Sequence, residues 1–531
     1  SNLHRGVPMG NFLGVDASTQ SMTGLLIDTD TQQIIAEESV NFDQHFAGRY
    51  GVENGVLHLG DGVVLSPPLM WAEALEMLLD QLRTTGVDLA SISAIAGSGQ
   101  QHGTVYLNES AAGVLGGLRA DLSLAEQLKE VFSRATAPVW MDTSTRRQCE
   151  QIEAGVGGQD QLLDLTGNTA FERFSGPQIR KFAMLEPEAY ERTANISMVS
   201  SFVASLLAGR LVPIDAGDGS GTNLMDIRQR RWSAPAVAAT APGLDHRLLP
   251  VIDADGVIGP VSPFWVERHG LSPTCQLLPF SGDNPCSLIG LGLVQPGQLA
   301  LSLGTSDTFF ACMDEVRVSS TGEGALFASP DGEHYMALIC FLNGSLAREA
   351  VRDEYGLDWD GFARALQQTQ PGNDGALMLP YFAAEIVPHV ETPGPVRHRL
   401  NREDASANVR AVIEAQALAS RIHAEWMGVD VQSISVTGGA SANADILQIY
   451  ADVHDCQVQQ FQTTNAAALG AALRAAHGHG RMMGENPSWT DVVGSFTQPI
   501  SGSAIHPRPD AVAIYNESVE AYRTLEQQHT T

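Results

Sequence analysis

Three short turns rich in glycine and hydroxyl-bearing residues stand far apart in the chain. They are D-A-S-T-Q-S at Asp16–Ser21, L-G-T-S-D-T at Leu303–Thr308 and G-G-A-S-A-N at Gly438–Asn443. Turns of this kind leave backbone N–H groups pointing outward, and such groups can hold phosphate oxygens without a lysine. Each turn alone is more often an ordinary tight turn. All three together indicate a phosphate-binding protein.

The elements that would position these turns fall into two halves that begin alike, each with a meander of strands. In the first half we predict strands at Phe12–Asp16, Thr23–Asp28, Gln33–Val40 and Ile92–Gly97, with a helix at Leu69–Arg83. In the second half we predict strands at Gln298–Leu303, Asp307–Met313, His334–Phe341, Ser433–Thr437 and Gln457–Phe461, with helices at Ala405–Met427, from Asn443 to about His454 and from Asn465.

Two further segments carry polar side chains beside predicted element ends. The strand Ile92–Gly97 runs into G-S-G-Q-Q-H-G, so a glycine-rich loop should present His102 at the end of the sheet. The segment S-G-D-N-P-C-S at Ser281–Ser287 is predicted to be a loop, because it is rich in turn-forming residues. We place the end of the first domain there.

The chain lacks the residues that define other common phosphate-binding motifs. A P-loop needs Gly-Lys-Ser/Thr and a protein kinase needs a strand lysine. Lys129 in Q-L-K-E and Lys181 in I-R-K-F have neither context. A dinucleotide site would need a glycine motif between a strand and a helix, whereas Asp16–Ser21 is predicted to join two strands.

Composition narrows the class of protein further. The chain of 531 residues is long enough for two domains. Its formal net charge of −30 disfavours nucleic acid and anionic lipid as partners. The sequence contains no run of about 18 apolar residues of the kind that would predict a membrane span. Residues 1–10 lack the apolar core of a secretory signal. The six cysteines are scattered and form no C-x-x-C pair, so they do not indicate a disulfide framework or a zinc site. We therefore expect a cytoplasmic protein.

Seven motifs between Phe12 and Asn443 resemble those of the xylulokinase branch of the FGGY carbohydrate kinases, in its longer animal-type form, and the similarity extends from about Phe12 to beyond Leu525. They are F-L-G-V-D-A-S-T-Q-S, G-Q-Q-H-G, P-V-W-M-D-T-S-T, F-E-R-F-S-G-P-Q-I, S-G-D-N-P, S-L-G-T-S-D-T and T-G-G-A-S-A-N. The resemblance implies an α/β fold of two actin-like (ribonuclease H-like) domains with the active site in the interdomain cleft. We expect domains at 10–290 and 291–485, and a C-terminal extension at 486–531 packing on the core.

The resemblance also implies that the protein uses ATP and Mg²⁺. Asp16 would hold the magnesium of MgATP. The residues that would contact the nucleotide are Ser18, Thr19, Gly304, Thr305, Trp359, Gly438, Gly439 and Asn443. Trp359, in G-L-D-W-D-G-F, matches the family only weakly, and a core tryptophan is the alternative.

For the sugar, the resemblance implies a second set of residues. Asp283 would be the general base, and the sugar would be bound by Gln101, His102, Arg173, Asp283 and Asn284. Gln101 departs from the short bacterial forms, which usually carry methionine there. The implied reaction is ATP-dependent phosphorylation of a ketose, D-xylulose first, and positioning, charge neutralisation and a base for the alcohol proton are what such a reaction requires.

Two alternatives stay open at this point. One is a kinase of another ketose or polyol in the same family, such as ribulose or glycerol, although W-M-D-T-S-T at Trp140–Thr145 favours the xylulokinase type. The other is a non-catalytic actin-like nucleotide-binding module, which would have little use for Asp283 beside a polar sugar loop. A small-molecule sugar is the expected partner, with no nucleic acid and no membrane. The sequence leaves the oligomeric state open, with a homodimer as one candidate.

Overall fold

The computed structural model describes residues 6–463 and 465–530. These residues form two compact units. The first contains residues 6–294, 326–335 and 465–497, and the second contains 295–325, 336–463 and 498–530. The predicted linear segments 10–290, 291–485 and 486–531 therefore do not coincide with the units, because the chain returns to the first unit after it has built most of the second.

The first unit is built on a sheet that begins with a three-stranded antiparallel meander, as predicted. Its strands are Asn11–Ala17, Ser21–Asp28 and Gln33–Asn41. The strand Ile92–Gly99 adds in parallel to Asn11–Ala17, and Ser281–Gly282 pairs in parallel with the end of Ile92–Gly99. Phe12, Leu13 and Val15 are fully buried, so both faces of the first strand are covered.

Helices cover this sheet and carry its loops. The longer helices of the first unit are Phe42–Tyr50, Pro68–Thr84, Arg146–Val156, Gln159–Thr166, Ser175–Leu185, Val199–Ala208, Asp283–Gly290 and Ala466–Met482. The predicted helix Leu69–Arg83 is confirmed as Pro68–Thr84, with proline in the first turn and Trp71, Leu75 and Leu78 buried.

The segment Ser281–Ser287 is not the loop that we predicted. It forms the short strand Ser281–Gly282 and the beginning of the helix Asp283–Gly290. Pro285 lies in the first turn of that helix, where a missing N–H costs no intrahelical hydrogen bond. Turn-forming residues thus begin a helix here, and Asp283 is its first residue.

Close helix packing holds Asp283–Gly290 in place. A Cβ atom on Gly290 would overlap the carbonyl oxygen of Ala466, and one on Gly470 would overlap the carbonyl oxygen of Cys286. A Cβ atom on Gly14 would overlap the carbonyl oxygen of Ala468 in the same way. The strand, the helix that carries Asp283 and the helix Ala466–Met482 therefore meet at distances that only glycine permits.

The second unit repeats the plan with its own sheet. Its strands are Gln298–Leu303, Asp307–Met313, Tyr335–Phe341, Ser433–Thr437 and Gln457–Gln460. Gln298–Leu303 pairs antiparallel with Asp307–Met313 and parallel with Ser433–Thr437. A strand that we did not predict, Ala325–Ala328, precedes Tyr335–Phe341 along the chain and falls mostly within residues 326–335 of the first unit.

The helices of the second unit include the C-terminal one. The longer ones are Ser345–Glu354, Trp359–Gln367, Ala405–His423, Ala444–His454 and Pro509–His529. The helix predicted at Ala405–Met427 ends at His423, and a short 3₁₀ turn, Glu425–Met427, follows it. Tyr515 joins the C-terminal helix to Ala405–His423 by donating a hydrogen bond of 2.7 Å to Glu414. Within the described ranges, no helix is long and apolar enough to cross a membrane.

The glycine contact between the two helices predicts a position-specific loss of stability. Gly470→Ala should lower the free energy of unfolding by more than about 2 kcal/mol, because the added methyl group would overlap backbone and force a helix to move. Urea denaturation measures this change.

Gly48→Ala is the matched control. Gly48 lies in the helix Phe42–Tyr50, and a Cβ atom there would meet nothing within 4 Å. That variant should be neutral or more stable by a few tenths of a kcal/mol, because alanine favours the helix. Equal stabilities for the two variants would contradict the packing account.

Candidate active site

Asp16 lies at the carboxyl end of the first strand, where parallel neighbours bring polar residues to one edge of the sheet. Asp16 pairs in register with Ser98, and Ser98 pairs with Ser281. Asp16 is 8% exposed, and its Oδ1 has no hydrogen-bond partner among the described residues. Burial raises the pKa of Asp16 to about 7, and the nearby charge of Asp283 adds to that rise.

Asp283 projects from the first turn of its helix toward the glycine-rich loop that follows Ile92–Gly99. Its Oδ1 accepts hydrogen bonds from the backbone N–H of Gln101 at 3.2 Å and of Asn284 at 2.9 Å. Burial raises the pKa of Asp283 to about 6, and these two hydrogen bonds oppose the rise. The carboxylate is therefore mostly ionised at neutral pH and can accept a proton.

The loop at Gln101 and His102 is fixed from several sides. The amide of Gln101 donates to the carbonyl of Gly217 at 3.4 Å and accepts from Nδ2 of Asn284 at 2.9 Å. His102 has a φ of 78°, a conformation that non-glycine residues adopt rarely. Its Nδ1 donates to the carbonyl of Gly221 at 2.7 Å, which leaves Nε2 as the acceptor when the ring is neutral.

Arg173 and His102 share one aromatic surface. The imidazole of His102 stacks on Phe174 with ring centroids 4.2 Å apart. The guanidinium of Arg173 lies 5.7 Å from the centre of the same ring and 4.9 Å from that of Phe171. Burial and the charge of Arg173 together lower the pKa of His102 to about 3, so the ring is uncharged at neutral pH.

A third carboxylate, Asp218, belongs to this group, and sequence reasoning missed it. It lies in the segment Asp215–Gly221, which also supplies the carbonyls that hold Gln101 and His102. Asp218 is 1% exposed; one of its oxygens accepts a hydrogen bond from Ser200, and Oδ1 has no partner within the described residues. Burial raises its pKa to about 8, and the charges of Asp283 and Asp215 add to the rise. The run of aspartate and glycine in D-A-G-D-G-S-G resembles the phosphate turns and was the available signal.

In the first predicted phosphate turn, the side chains are engaged within the protein. The hydroxyl of Ser18 donates to the carbonyl of Ser21 at 2.9 Å. The hydroxyl of Thr19 accepts from the indole N–H of Trp140 at 2.8 Å and lies 3.4 Å from Oε1 of Gln100. These contacts fix the shape of the turn, so any phosphate contact would fall mainly to its backbone.

The other two turns lie together in the second unit. Gly304 follows the strand Gln298–Leu303, Gly438 follows Ser433–Thr437, and these strands are parallel neighbours. Gly438 has a φ of 92°, and a Cβ atom on it would overlap the carbonyl of Leu303. Thr305 is exposed beside Gly304. The structure therefore brings these two predicted turns to one edge of a sheet.

The remaining predicted nucleotide residues also lie in the second unit. Gly439 begins the 3₁₀ turn Gly439–Ala442. Asn443 uses its Oδ1 to cap the next helix, where it accepts from the N–H groups of Asp445 at 2.9 Å and Ile446 at 3.1 Å. Trp359 is 47% exposed at the start of its helix, with the guanidinium of Arg352 4.5 Å from its ring centre. It is not a core tryptophan.

Two family models match most of the chain. The model described as FGGY family of carbohydrate kinases, N-terminal domain, matches residues 121–290, and the model for the C-terminal domain of the same family matches residues 299–479.

Curated relatives match over nearly the full length. A xylulose kinase from Mus musculus is 42% identical over 97% of this chain and 94% of its own. Xylulose kinase 2 from Arabidopsis thaliana is 42% identical over 89% of this chain and 88% of its own.

Solved structures confirm the predicted two-domain actin-like α/β fold. A crystal structure described as a xyloylose kinase from Brucella ovis has a TM-score of 0.80 at 22% identity, covering 98% of this chain and 99% of the other. A xylulose kinase from Rhodospirillum rubrum has a TM-score of 0.80 at 18% identity, covering 98% of both chains.

The buried carboxyl of Asp218 predicts a pH-dependent difference in stability. In the unfolded chain an aspartate titrates near 3.8, whereas folding raises the pKa of Asp218 to about 8. Between these values the folded state holds a proton that the unfolded state has released, so the wild type loses stability as pH rises. Asp218→Asn removes this titration, and its stability relative to the wild type should grow by about 1 kcal/mol for each pH unit in that window.

Urea denaturation of both proteins at pH 5, 6.5 and 8 measures the difference. Asp226→Asn serves as the control, because Asp226 is only partly buried and its Oδ1 accepts hydrogen bonds from the backbone N–H groups of Arg228 and Gln229, which an asparagine oxygen can also accept. A difference between Asp218→Asn and the wild type that stays constant with pH would contradict a buried, protonated carboxyl.

Proposed function

This chain belongs to the FGGY family of carbohydrate kinases, and from that premise we propose that it transfers the terminal phosphate of ATP to a ketose, D-xylulose, to give D-xylulose 5-phosphate. The observation that carries the proposal is the ionisable carboxylate of Asp283, held by two backbone N–H groups beside the loop of Gln101 and His102. A general base and a polar sugar-binding loop are thus joined in one unit.

The choice of sugar rests on the relatives. Those at 42% identity over most of the chain are named xylulose kinases. Ribulose and glycerol remain the alternative substrates within the family. The non-catalytic alternative has little support, because a binding module has no need for a carboxylate poised to accept a proton beside polar sugar-binding groups.

In the proposed reaction Asp283 takes the proton of the terminal hydroxyl of the ketose as that oxygen forms its bond to the γ-phosphorus of ATP. The bond from the γ-phosphorus to the bridging oxygen breaks, and ADP leaves with the electron pair. The backbone hydrogen bonds from Gln101 and Asn284 orient the carboxylate and keep its pKa below that of the buried carboxyl Asp218.

The sugar would be held by His102, Arg173, Gln101 and Asn284. His102, with Nδ1 donating to Gly221, offers Nε2 as an acceptor for a sugar hydroxyl. Arg173 offers N–H donors from the neighbouring position on the aromatic surface. Gln101 and Asn284, which bond each other, complete the proposed set.

Asp16 suits the magnesium that accompanies ATP. A buried carboxylate oxygen without a partner among the described residues is a hard ligand of the kind that Mg²⁺ prefers. No group of three or more metal-ligating side chains occurs in the described part of the chain, so the ion would take its other ligands from phosphate oxygens and water. When bound, Mg²⁺ would neutralise charge on the phosphates.

For the nucleotide we propose the residues that the family resemblance implies. The proposed set is Ser18 and Thr19 in the first unit, and Gly304, Thr305, Trp359, Gly438, Gly439 and Asn443 in the second. The two adjoining turns at Gly304 and Gly438 support this assignment most directly. The cytoplasmic location and the homodimer stay predictions from the sequence.

Replacing Asp283 tests the proposed base. Asp283→Asn keeps the size of the side chain but cannot accept the proton, so ketose phosphorylation should fall by about two to four orders of magnitude. Ketose and MgATP should still bind. Asp16→Asn should differ, with part of its loss appearing as a higher requirement for Mg²⁺, because the partner proposed for Asp16 is the metal.

Single-turnover phosphorylation measures the chemical step, and calorimetry measures the two binding steps. The thermal unfolding midpoint of each variant shows whether it is folded. A folded Asp283→Asn protein that phosphorylates the sugar at a near wild-type rate would refute the assignment.

The sugar loop is tested by substrate preference and by the Michaelis constants. In an ADP-release assay, D-xylulose should stimulate the wild type more than ribulose or glycerol. His102→Ala and Arg173→Ala should each raise the KM for the preferred sugar about tenfold or more, because one removes a buried acceptor and the other a charged donor, and should leave the KM for ATP nearly unchanged.

Matched surface variants complete this test. His58→Ala and Arg83→Ala change the same residue types at exposed positions of the first unit and should leave both Michaelis constants unaltered. Loss of ATP binding with intact sugar binding in His102→Ala would overturn the assignment of this loop.

A further inference from the structure

A cavity with a volume of about 320 Å³ lies in the first unit. That volume is enough for a small ligand. None of the residues that line it belongs to the proposed sugar or nucleotide set. One of them, Ala216, lies in the segment Asp215–Gly221, whose carbonyl groups accept hydrogen bonds from Gln101 and His102.

One wall of the cavity is a face of the helix Ala466–Met482. Arg474, His477 and Arg481 follow one another at spacings of three and four residues, so their side chains project from the same side of the helix. Arg230 and Arg231 line the cavity from a separate turn. Four arginines thus line the cavity, together with four carboxylates, Asp253, Asp255, Asp331 and Glu333.

Two of these arginines are held by exposed carboxylates. Arg231 lies 2.5 Å from Asp253, and Arg481 lies 3.4 Å from Asp255. The side chains of both pairs are about half exposed or more, at 49% and 68% for the first and 47% and 59% for the second. Ion pairs of this kind contribute little to stability, so a ligand with oxyanion oxygens can compete for the guanidinium groups.

Arg474 is different, because it is almost completely buried. Its side chain is 3% exposed, and one guanidinium nitrogen, Nη2, donates to Asp215 at 2.7 Å. The other nitrogen, Nη1, is buried and has no hydrogen-bond partner within the described residues. A buried guanidinium with an unsatisfied donor is costly unless an acceptor completes it.

An aromatic surface adjoins the arginines. The imidazole of His477 stacks on the indole of Trp489, with centroids 4.0 Å apart and planes 12° apart. Burial lowers the pKa of His477 to about 4, so the ring adds no charge at neutral pH. The cavity therefore combines a flat apolar surface with guanidinium donors.

We propose that this cavity binds a small metabolite that carries a phosphate or carboxylate group, with Arg481, Arg231 and Arg474 as its anion-binding residues. The planar forks of the guanidinium groups match both oxyanions. The stacked rings of His477 and Trp489 would contact the carbon skeleton of the ligand. The ligand would replace Asp253 as the partner of Arg231 and Asp255 as the partner of Arg481.

Titration calorimetry of the full chain tests this site with two probes, inorganic phosphate and citrate. Sodium chloride at matched ionic strength is the reference titration. It corrects for the general effect of salt, which screens the repulsion among the excess negative charges of this protein (formal net charge −30). Heat with phosphate alone, with citrate alone or with both identifies the oxyanion class, and no heat with either probe overturns the proposal.

Two variants, one expected to weaken probe binding and one expected to strengthen it, test whether the probe binds in this cavity. Arg481→Gln removes a charge-assisted hydrogen bond and should raise the dissociation constant of the probe about tenfold or more. Asp255→Asn frees Arg481 from its competing carboxylate and should tighten binding severalfold. Neither change touches the buried pair of Arg474 and Asp215, so both proteins should fold.

Arg228→Gln is the matched control. Arg228 belongs to the same surface turn as Arg230 and pairs with Asp164, but it does not line the cavity. It should bind the probes as the wild type does. Probe binding that is unchanged in both Arg481→Gln and Asp255→Asn would mean that the anion binds elsewhere, as at the phosphate turns, and would refute the site.

Discussion

The contact on which the rest of the first unit depends is the backbone-to-backbone packing between the helix Asp283–Gly290 and the helix Ala466–Met482. Gly290 and Gly470 allow each helix to reach a carbonyl of the other. Asp283 is the first residue of one of these helices, so its carboxylate is fixed by a contact made seven residues away. The N–H groups of Gln101 and Asn284 then set the direction of that carboxylate. The proposed base is thereby held on helices rather than on a loop.

Burial is the common electrostatic feature of the site. Three carboxylates, Asp16, Asp218 and Asp283, have pKa values raised to about 7, 8 and 6, each chiefly by burial. Two backbone hydrogen bonds oppose the rise at Asp283, whereas the charge of Asp283 adds to the rise at Asp16 and at Asp218. The least perturbed carboxylate is thus the one proposed to accept a proton.

Local patterns predicted the elements but not their long-range partners. The meander strands and the strand Ser433–Thr437 were found from alternation and burial, because those signals are contained in a few neighbouring residues. The helical state of Asp283–Gly290 was missed, because Gly, Asp, Asn and Pro favour turns locally, whereas packing against Ala466–Met482 makes this segment a helix. Asp218 was missed for a related reason: its burial arises from segments distant in the sequence.

The return of the chain to the first unit has a consequence for biosynthesis. A ribosome delivers residues in order, and domains of many proteins fold as they emerge. Here the helix Asp283–Gly290 lacks its glycine-matched partner until Ala466–Met482 has left the exit tunnel, by which time most of the second unit has been made. The nascent first unit would expose the apolar surface that this partner later covers, including Phe12 and Ile289. Maturation of the proposed base is therefore a late event of synthesis, although Asp283 lies near the middle of the chain.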